Sequence, residues 1–172
     1  DYEHYLLADI NPDLINLYNL LKQDPQTYIS ESKRWFCAEN NRKEAYLDVR
    51  AQFNATDDVL YRSLAFLYMN RFGFNGLCRY NKKGVFNVPF GSYKKPYFPE
   101  AELEFFADKA NKATFVCEGY TDTFRRTRKG SVVYCDPPYA PLSTTANFTS
   151  YSGNGFTLDD QAALADVAEK AA

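Results

Sequence analysis

Apolar residues recur along this chain with two different periods, and the changes between them mark its elements. Tyr5, Leu6, Leu7 and Ala8 form an unbroken apolar run that ends at Asp9, which predicts a strand over residues 2–9. Asn11 suits a helix N-cap and Pro12 a first helical position. Leu14, Ile15, Leu17, Tyr18 and Leu21 then follow a helical period, so a helix is expected over 12–22. Residues 23–70 read as further helices with polar connections. Helical spacing is clearest over 45–53 and 57–70, with Asp57 or Asp58 available to cap the second. Beyond 99 the pattern predicts a helix over 100–113, a strand over 114–117 and a short basic helix over 121–128, broken at Gly130. The β-branched run 132–135 reads as a buried strand, stopped by Pro137 and Pro138, which carry no amide hydrogen. Thr157 caps a last helix that runs to Ala172.

Between residues 70 and 99 neither period holds. The stretch is studded with glycines (Gly73, Gly76, Gly84, Gly91), asparagines and aromatics. Lys83-Gly84 lies between Arg79-Tyr80-Asn81 and Val85-Phe86-Asn87-Val88, which predicts a hairpin. A two-stranded ribbon with basic and amide side chains fits a DNA major groove. The formal net charge of −2 argues weakly against a nucleic-acid partner, but distribution matters more than the sum. This stretch holds six basic residues (Arg71, Arg79, Lys82, Lys83, Lys94, Lys95) and no acid, so an anionic partner is expected.

Composition narrows the field further. With 45% hydrophobic and 17% aromatic residues, the 172-residue chain has the material of an ordered domain plus an insertion. No apolar run approaches membrane-spanning length and no signal-peptide pattern opens the chain, so no membrane partner is expected. The four cysteines are scattered, which suggests neither a disulfide framework nor a zinc site and fits a reducing cytoplasm. A single histidine, His4, leaves most His-dependent triads and His-ligated metals without their residues. No metal is expected.

The densest candidate chemistry lies at Asp136-Pro137-Pro138-Tyr139. Here a carboxylate, a free carbonyl and an aromatic ring follow a strand, at the edge where open α/β sheets bind ligands. Asp136 and the Pro137 carbonyl can each accept one N–H of an exocyclic amine while Tyr139 stacks on the attached ring. The amine's lone pair then stays free to attack. Asp-Pro-Pro alone could also be merely a loop-starting turn, but the strand before it and the ring after it favour the amine-binding reading. Asp9, at a strand tip, can bind ribose hydroxyls or simply help to start the helix after it.

Asp136-Pro-Pro-Tyr139 resembles the catalytic motif of the amino-group DNA methyltransferases. Nearly the whole chain is similar to their DNA adenine methyltransferase (Dam-type) branch, which acts within GATC. The resemblance implies a Rossmann-like, S-adenosylmethionine-dependent α/β fold, with residues 1–19 and 100–172 catalytic and residues 20–99 an inserted helical and β-hairpin recognition domain. It implies catalytic roles for Asp136, Pro137 and Tyr139. Cofactor contacts would come from Asp9, in an Ala-Asp-Ile-Asn segment like the family's ribose-binding one, and from Asp136, Gly119 and Tyr120. Leu77, Arg79 and Pro89 would touch base edges, and Phe74 and Asn75 would fill the space left by a flipped adenine. Arg50, Arg71, Asn81, Asn87 and Lys94 would hold phosphates, although by themselves Arg50 and Arg71 could be solvated surface charges, the usual fate of lone arginines. Asn147, Phe148 and Tyr151 of the polar loop 140–155 could close over a base or simply pack.

The chain departs from the family in two places: Phe74 stands where tyrosine is common, and Ser92 where a relative can carry arginine. The family's Lys-bearing segment and Gly-rich Phe-x-Gly-x-Gly loop do not occur in these residues. The expectation is therefore the middle of a longer protein, inactive by itself, whose partner is double-stranded DNA and which works as a monomer. Two other readings stand beside it. One is an RNA or protein methyltransferase with a similar tetrapeptide, and the other a non-catalytic DNA-binding module.

Overall fold

The computed structural model describes residues 2–138 and 156–171. Strand β1 (Tyr5–Asp9) leads into helix α1 (Pro12–Gln23), whose N-cap Asn11 accepts from the Asp13 and Leu14 amides. Helix α2 (Pro25–Arg34) starts at Asp24, which accepts the Thr27 amide, and α3 spans Lys43–Ala55. Helix α4 (Val59–Phe72) is capped by Asp58 through the Tyr61 amide. After the glycine-rich stretch 73–99 come α5 (Glu100–Ala110), β2 (Ala113–Cys117), α6 (Tyr120–Arg125) and α7 (Leu158–Ala171). Strands β1 and β2 pair in parallel, Tyr5 opposite Ala113 and Asp9 opposite Cys117. The result is a mixed α/β fold whose described sheet has these two strands. No described helix is long and apolar enough to cross a membrane.

Two apolar clusters hold these elements. The smaller one seals α1 and α5 against β2 through Ile15, Ala110, Ala113 and Phe115. Tyr18 closes it, with its ring 4.8 Å from Phe106 and 5.2 Å from Phe115. The larger cluster surrounds α4, which buries Leu64, Ala65, Phe66, Leu67, Tyr68, Met69 and Phe72. A helix apolar on nearly every side must be enclosed by others. Helices α1, α2 and α3 enclose this one.

One polar knot crosses that apolar interior. Asp13 is only 2% exposed, and it receives Arg62 Nε at 2.8 Å, Arg62 Nη2 at 2.9 Å and the Tyr80 hydroxyl at 2.6 Å. The remaining Arg62 nitrogen donates to the Phe53 and Thr56 carbonyls, and the guanidinium lies 4.2 Å from the centre of the Phe53 ring. A buried carboxylate survives only when paired and fully hydrogen-bonded. This one joins α1, α4, the end of α3 and the hairpin.

The run 132–135 corrects the sequence reading. It is not a strand, and Val132 and Tyr134 are 71% and 87% exposed. β-Branched residues make a strand only where a neighbour supplies a hydrogen-bonding ladder. No described residue pairs with this run. The short basic helix expected over 121–128 ends earlier, at Arg125, and a separate turn follows, with Gly130 at φ 90° and the Ser131 amide donating to the Arg128 carbonyl.

Breaking the knot should be costly. Arg62→Met leaves the Asp13 charge buried without its counterion and is expected to cost about 3–5 kcal/mol. Lys33→Ala removes only the exposed Lys33–Glu100 pair and should cost less than about 1 kcal/mol. Urea unfolding of the full-length protein that carries this chain measures both, and equal losses would contradict the assignment.

Candidate functional site

The carboxyl ends of β1 and β2 lie side by side and each opens onto a helix start. Asp9 is half-buried, and its Oδ1 accepts the Asn11 amide at 2.7 Å. Asp9 therefore does help to shape the start of α1. Its Oδ2 has no partner among the described residues, so one oxygen remains to accept from a ligand. Beside it, the Glu118 carboxylate accepts from Thr123 Oγ1 at 3.2 Å and Arg126 Nη2 at 2.9 Å, which ties the β2–α6 turn to α6. Gly119 precedes α6, and a Cβ built there would meet no atom within 4 Å. Tyr120 is half-buried at the helix start. A free acceptor beside open space fits the hydroxyls of a nucleoside.

Asp136 is exposed, and Pro137 and Pro138 are half-buried. Among the described residues no hydrogen bond joins Asp136 to Asp9, Gly119 or Tyr120. Tyr139 and the loop residues Asn147, Phe148 and Tyr151 lie outside the described residues.

The second group of predicted residues is built on the hairpin, which forms as the sequence predicts. The Asn81 amide donates to the Val85 carbonyl, the Gly84 amide to Asn81 and the Asn87 amide to Arg79. Asn81 Oδ1 accepts the Lys83 and Val85 amides, and Gly84 takes φ 74°, a left-handed conformation that favours glycine. Tyr80 and Phe86 face each other across the ribbon. Arg79 is held flat along it, Nε on Asn87 Oδ1 at 2.8 Å and Nη2 on the Asn87 carbonyl at 3.2 Å. The Arg79 and Asn87 side chains still keep free N–H groups.

Helix α3 braces the hairpin's second arm from behind. Tyr46, Arg50 and Asn54 recur every four residues along one side of it. The Tyr46 hydroxyl and Arg50 Nη1 donate to the Val88 carbonyl at 3.1 and 2.8 Å. Asn54 exchanges two hydrogen bonds with the Phe86 backbone, at 3.0 and 2.9 Å, as a neighbouring strand would. Sequence reasoning missed Asn54 and this role of Arg50. The polar stripe Tyr46, Arg50, Asn54 on a helix face was the available signal. Asp13 and Tyr80 were also missed, and nothing local marks them. Burial and the adjacent Asp13 carboxylate push the Tyr80 phenol well above its ordinary range, so its proton stays in place as the donor.

The base of the hairpin returns to the end of α4. The Phe74 amide donates to the Pro89 carbonyl and the Gly91 amide to Phe72, each at 2.8 Å. Gly73 is required here, because a Cβ would stand 2.4 Å from the Met69 carbonyl oxygen. The Phe74 ring is 48% exposed. Asn75 sits at φ 53° with its amide donating to the Tyr93 hydroxyl at 2.9 Å. Arg71 Nε donates to the Tyr97 carbonyl at 3.1 Å. Arg71, Asn75, Tyr93, Lys95 and Tyr97 line one open depression of about 500 Å³. Leu77 is half-buried against the core, while Pro89 and Lys94 are exposed. Thus Arg79, Asn81 and Asn87 share the ribbon and Arg71 and Asn75 share the depression, with Phe74 beside Asn75. None of these residues hydrogen-bonds to Asp136.

The family model described as D12 class N6 adenine-specific DNA methyltransferase matches residues 1–172. A DNA adenine methylase of Vibrio cholerae serotype O1 is 78% identical over 172 residues, all of this chain and 62% of the relative. The DNA adenine methylases of Salmonella typhi and Escherichia coli K12 are each 57% identical over 169 residues, 98% of this chain and 61% of theirs. The chain thus spans about three fifths of the length of the curated relatives it matches.

If α3 braces the hairpin, Asn54→Ala and Arg50→Ala should each destabilise the DNA-free, full-length protein by about 1–3 kcal/mol. Denaturant midpoints measure this. An unchanged midpoint for Arg50→Ala would leave Arg50 no bracing role.

Proposed function

The chain belongs to the D12 class N6 adenine-specific DNA methyltransferases, and from that premise we propose that the protein carrying it methylates adenine N6 in double-stranded DNA, within GATC. S-adenosylmethionine, when bound, supplies an electrophilic methyl group on a sulfonium. The observation that carries the reading is the braced, acid-free ribbon that holds the Arg79 guanidinium flat with N–H groups to spare. A planar guanidinium with paired donors is the usual reader of a guanine edge. Leu77 and Pro89 are assigned to neighbouring base edges. Phe74 and Asn75 fill the gap left by a flipped adenine. Arg50, Arg71, Asn81, Asn87 and Lys94 hold phosphates, Arg50 with the donors that the Val88 carbonyl does not use.

The chemistry is one of positioning. A base must leave the stack before its amine can be reached. Asp136 and the Pro137 carbonyl then accept the two N–H groups, Tyr139 stacks on the ring, and the lone pair points outward. These acceptors gain most as the nitrogen becomes positive, so they favour the transition state over bound substrate. Asp9 offers its free oxygen to the ribose of the cofactor, with Gly119 and Tyr120 near its adenine. Asp136 borders the same site. The sheet is taken as part of a Rossmann-like domain formed by residues 1–19 and 100–172, with residues 20–99 as its recognition insertion. The protein acts as a monomer.

In the full-length protein, Asp136→Ala should lower kcat by roughly a hundredfold or more while duplex affinity survives. Single-turnover methylation and a binding titration separate the two, and near-normal turnover would refute the role given to Asp136.

Arg79→Ala should cost about 1–3 kcal/mol and relax discrimination at one GATC position. Lys94→Ala should weaken all duplexes alike and flatten the salt dependence. Equal losses on cognate and near-cognate duplexes for Arg79→Ala would make it a phosphate contact.

A further inference from the structure

Asp9, Asn11, Asp13 and Tyr80 form a continuous hydrogen-bonded chain. The Asn11 amide donates to Asp9 Oδ1 at 2.7 Å, and the Asp13 amide to Asn11 Oδ1 at 3.0 Å. The Tyr80 hydroxyl then donates to Asp13 Oδ2 at 2.6 Å. The chain runs from the carboxyl end of β1 to the middle of the hairpin's first arm.

Tyr80 stands between Arg79 and Asn81. Alternation along an extended arm sends its ring inward, edge-on to Phe86 with centroids 5.4 Å apart, and leaves its neighbours on the outer side. Arg62 already gives Asp13 two N–H groups, so the carboxylate stays paired without Tyr80. What the hydroxyl adds is direction. It sets a fixed separation between α1 and the arm that bears Arg79.

We propose that Tyr80 is a positioning residue, whose hydroxyl fixes the depth and register at which Arg79 meets a duplex relative to the Asp9 end of β1. This rests on the reading of the hairpin as the sequence reader. Phe86, Asn54 and the Asn87–Arg79 contacts keep the ribbon folded. The Tyr80 hydroxyl orients the folded ribbon on α1.

Tyr80→Phe in the full-length protein tests this, because it removes one oxygen and leaves the ring and the Asp13–Arg62 pair. Hydrogen exchange at the Asn81 and Asn87 amides, which close the ribbon, should become several-fold faster, while the α4 amides of Tyr68 and Met69 keep their rates. The ratio of kcat/KM on a GATC duplex to that on a singly substituted site should fall roughly three- to tenfold, the scale of one hydrogen bond. Unchanged ribbon exchange would overturn the proposal. So would equal acceleration in α4 or loss of cooperative unfolding, since the hydroxyl would then serve stability at large. Faster ribbon exchange with unchanged discrimination would also overturn it, since Arg79 would not depend on the anchor. A wild-type protein that does not methylate GATC duplexes refutes the functional reading instead, before any variant is made, and removes this inference with it.

Discussion

The rest of the molecule depends on the Asp13 carboxylate being paired where it is buried. A charge this enclosed is tolerated only with its counterion in place, and removing that counterion leaves a penalty of several kcal/mol. Arg62 supplies the counterion from α4, and Tyr80 supplies a neutral donor from the hairpin. Arg62 also holds the Phe53 and Thr56 carbonyls at the end of α3. Helix α1, helix α4, the end of α3 and the hairpin therefore share one anchor. An apolar residue at 13 could pack as well, but it would not set the angle of the ribbon.

That anchor explains how a glycine-rich, aperiodic stretch becomes an ordered surface. A hairpin alone is marginal in water. Here it gains a backbone partner in Asn54, a buried face through Phe86 and Val88, and a tight return at Gly73. The outer face is left to Arg79, Asn81 and Asn87. Rigid placement of these donors suits recognition in which binding must depend on sequence, since a loose arginine finds any phosphate. In the proposed function the strand ends supply the cofactor's contacts, the ribbon reads the duplex, and α1 links the two.

Local signals in the sequence were read well because they act locally. Asn11 and Thr157 cap the helices they were expected to cap, Asp58 rather than Asp57 caps α4, and Lys83-Gly84 turns the hairpin. The two strands themselves were legible as short apolar runs, and their parallel pairing is a finding of the structure. Long-range partners were not legible. Nothing near Asp13 announces Arg62, 49 residues later, and Arg50 reads as a surface charge or a phosphate ligand because its bond to Val88 spans the fold. The run 132–135 was misread for the same reason, since its composition suits a strand but a ladder needs a partner. The chemistry of Asp136-Pro137 rests on residue type and resemblance, and the exposed Asp136 carboxylate is compatible with it.

Product analysis tests the central claim most directly. The full-length protein, S-adenosylmethionine with an isotopically labelled methyl group, and a duplex containing one GATC site would be incubated and the DNA digested to nucleosides. Label is expected in N6-methyldeoxyadenosine alone, and none when the site's adenine is replaced. Label in a methylated cytosine, transfer to RNA or protein in preference to the duplex, or no transfer at all would contradict it.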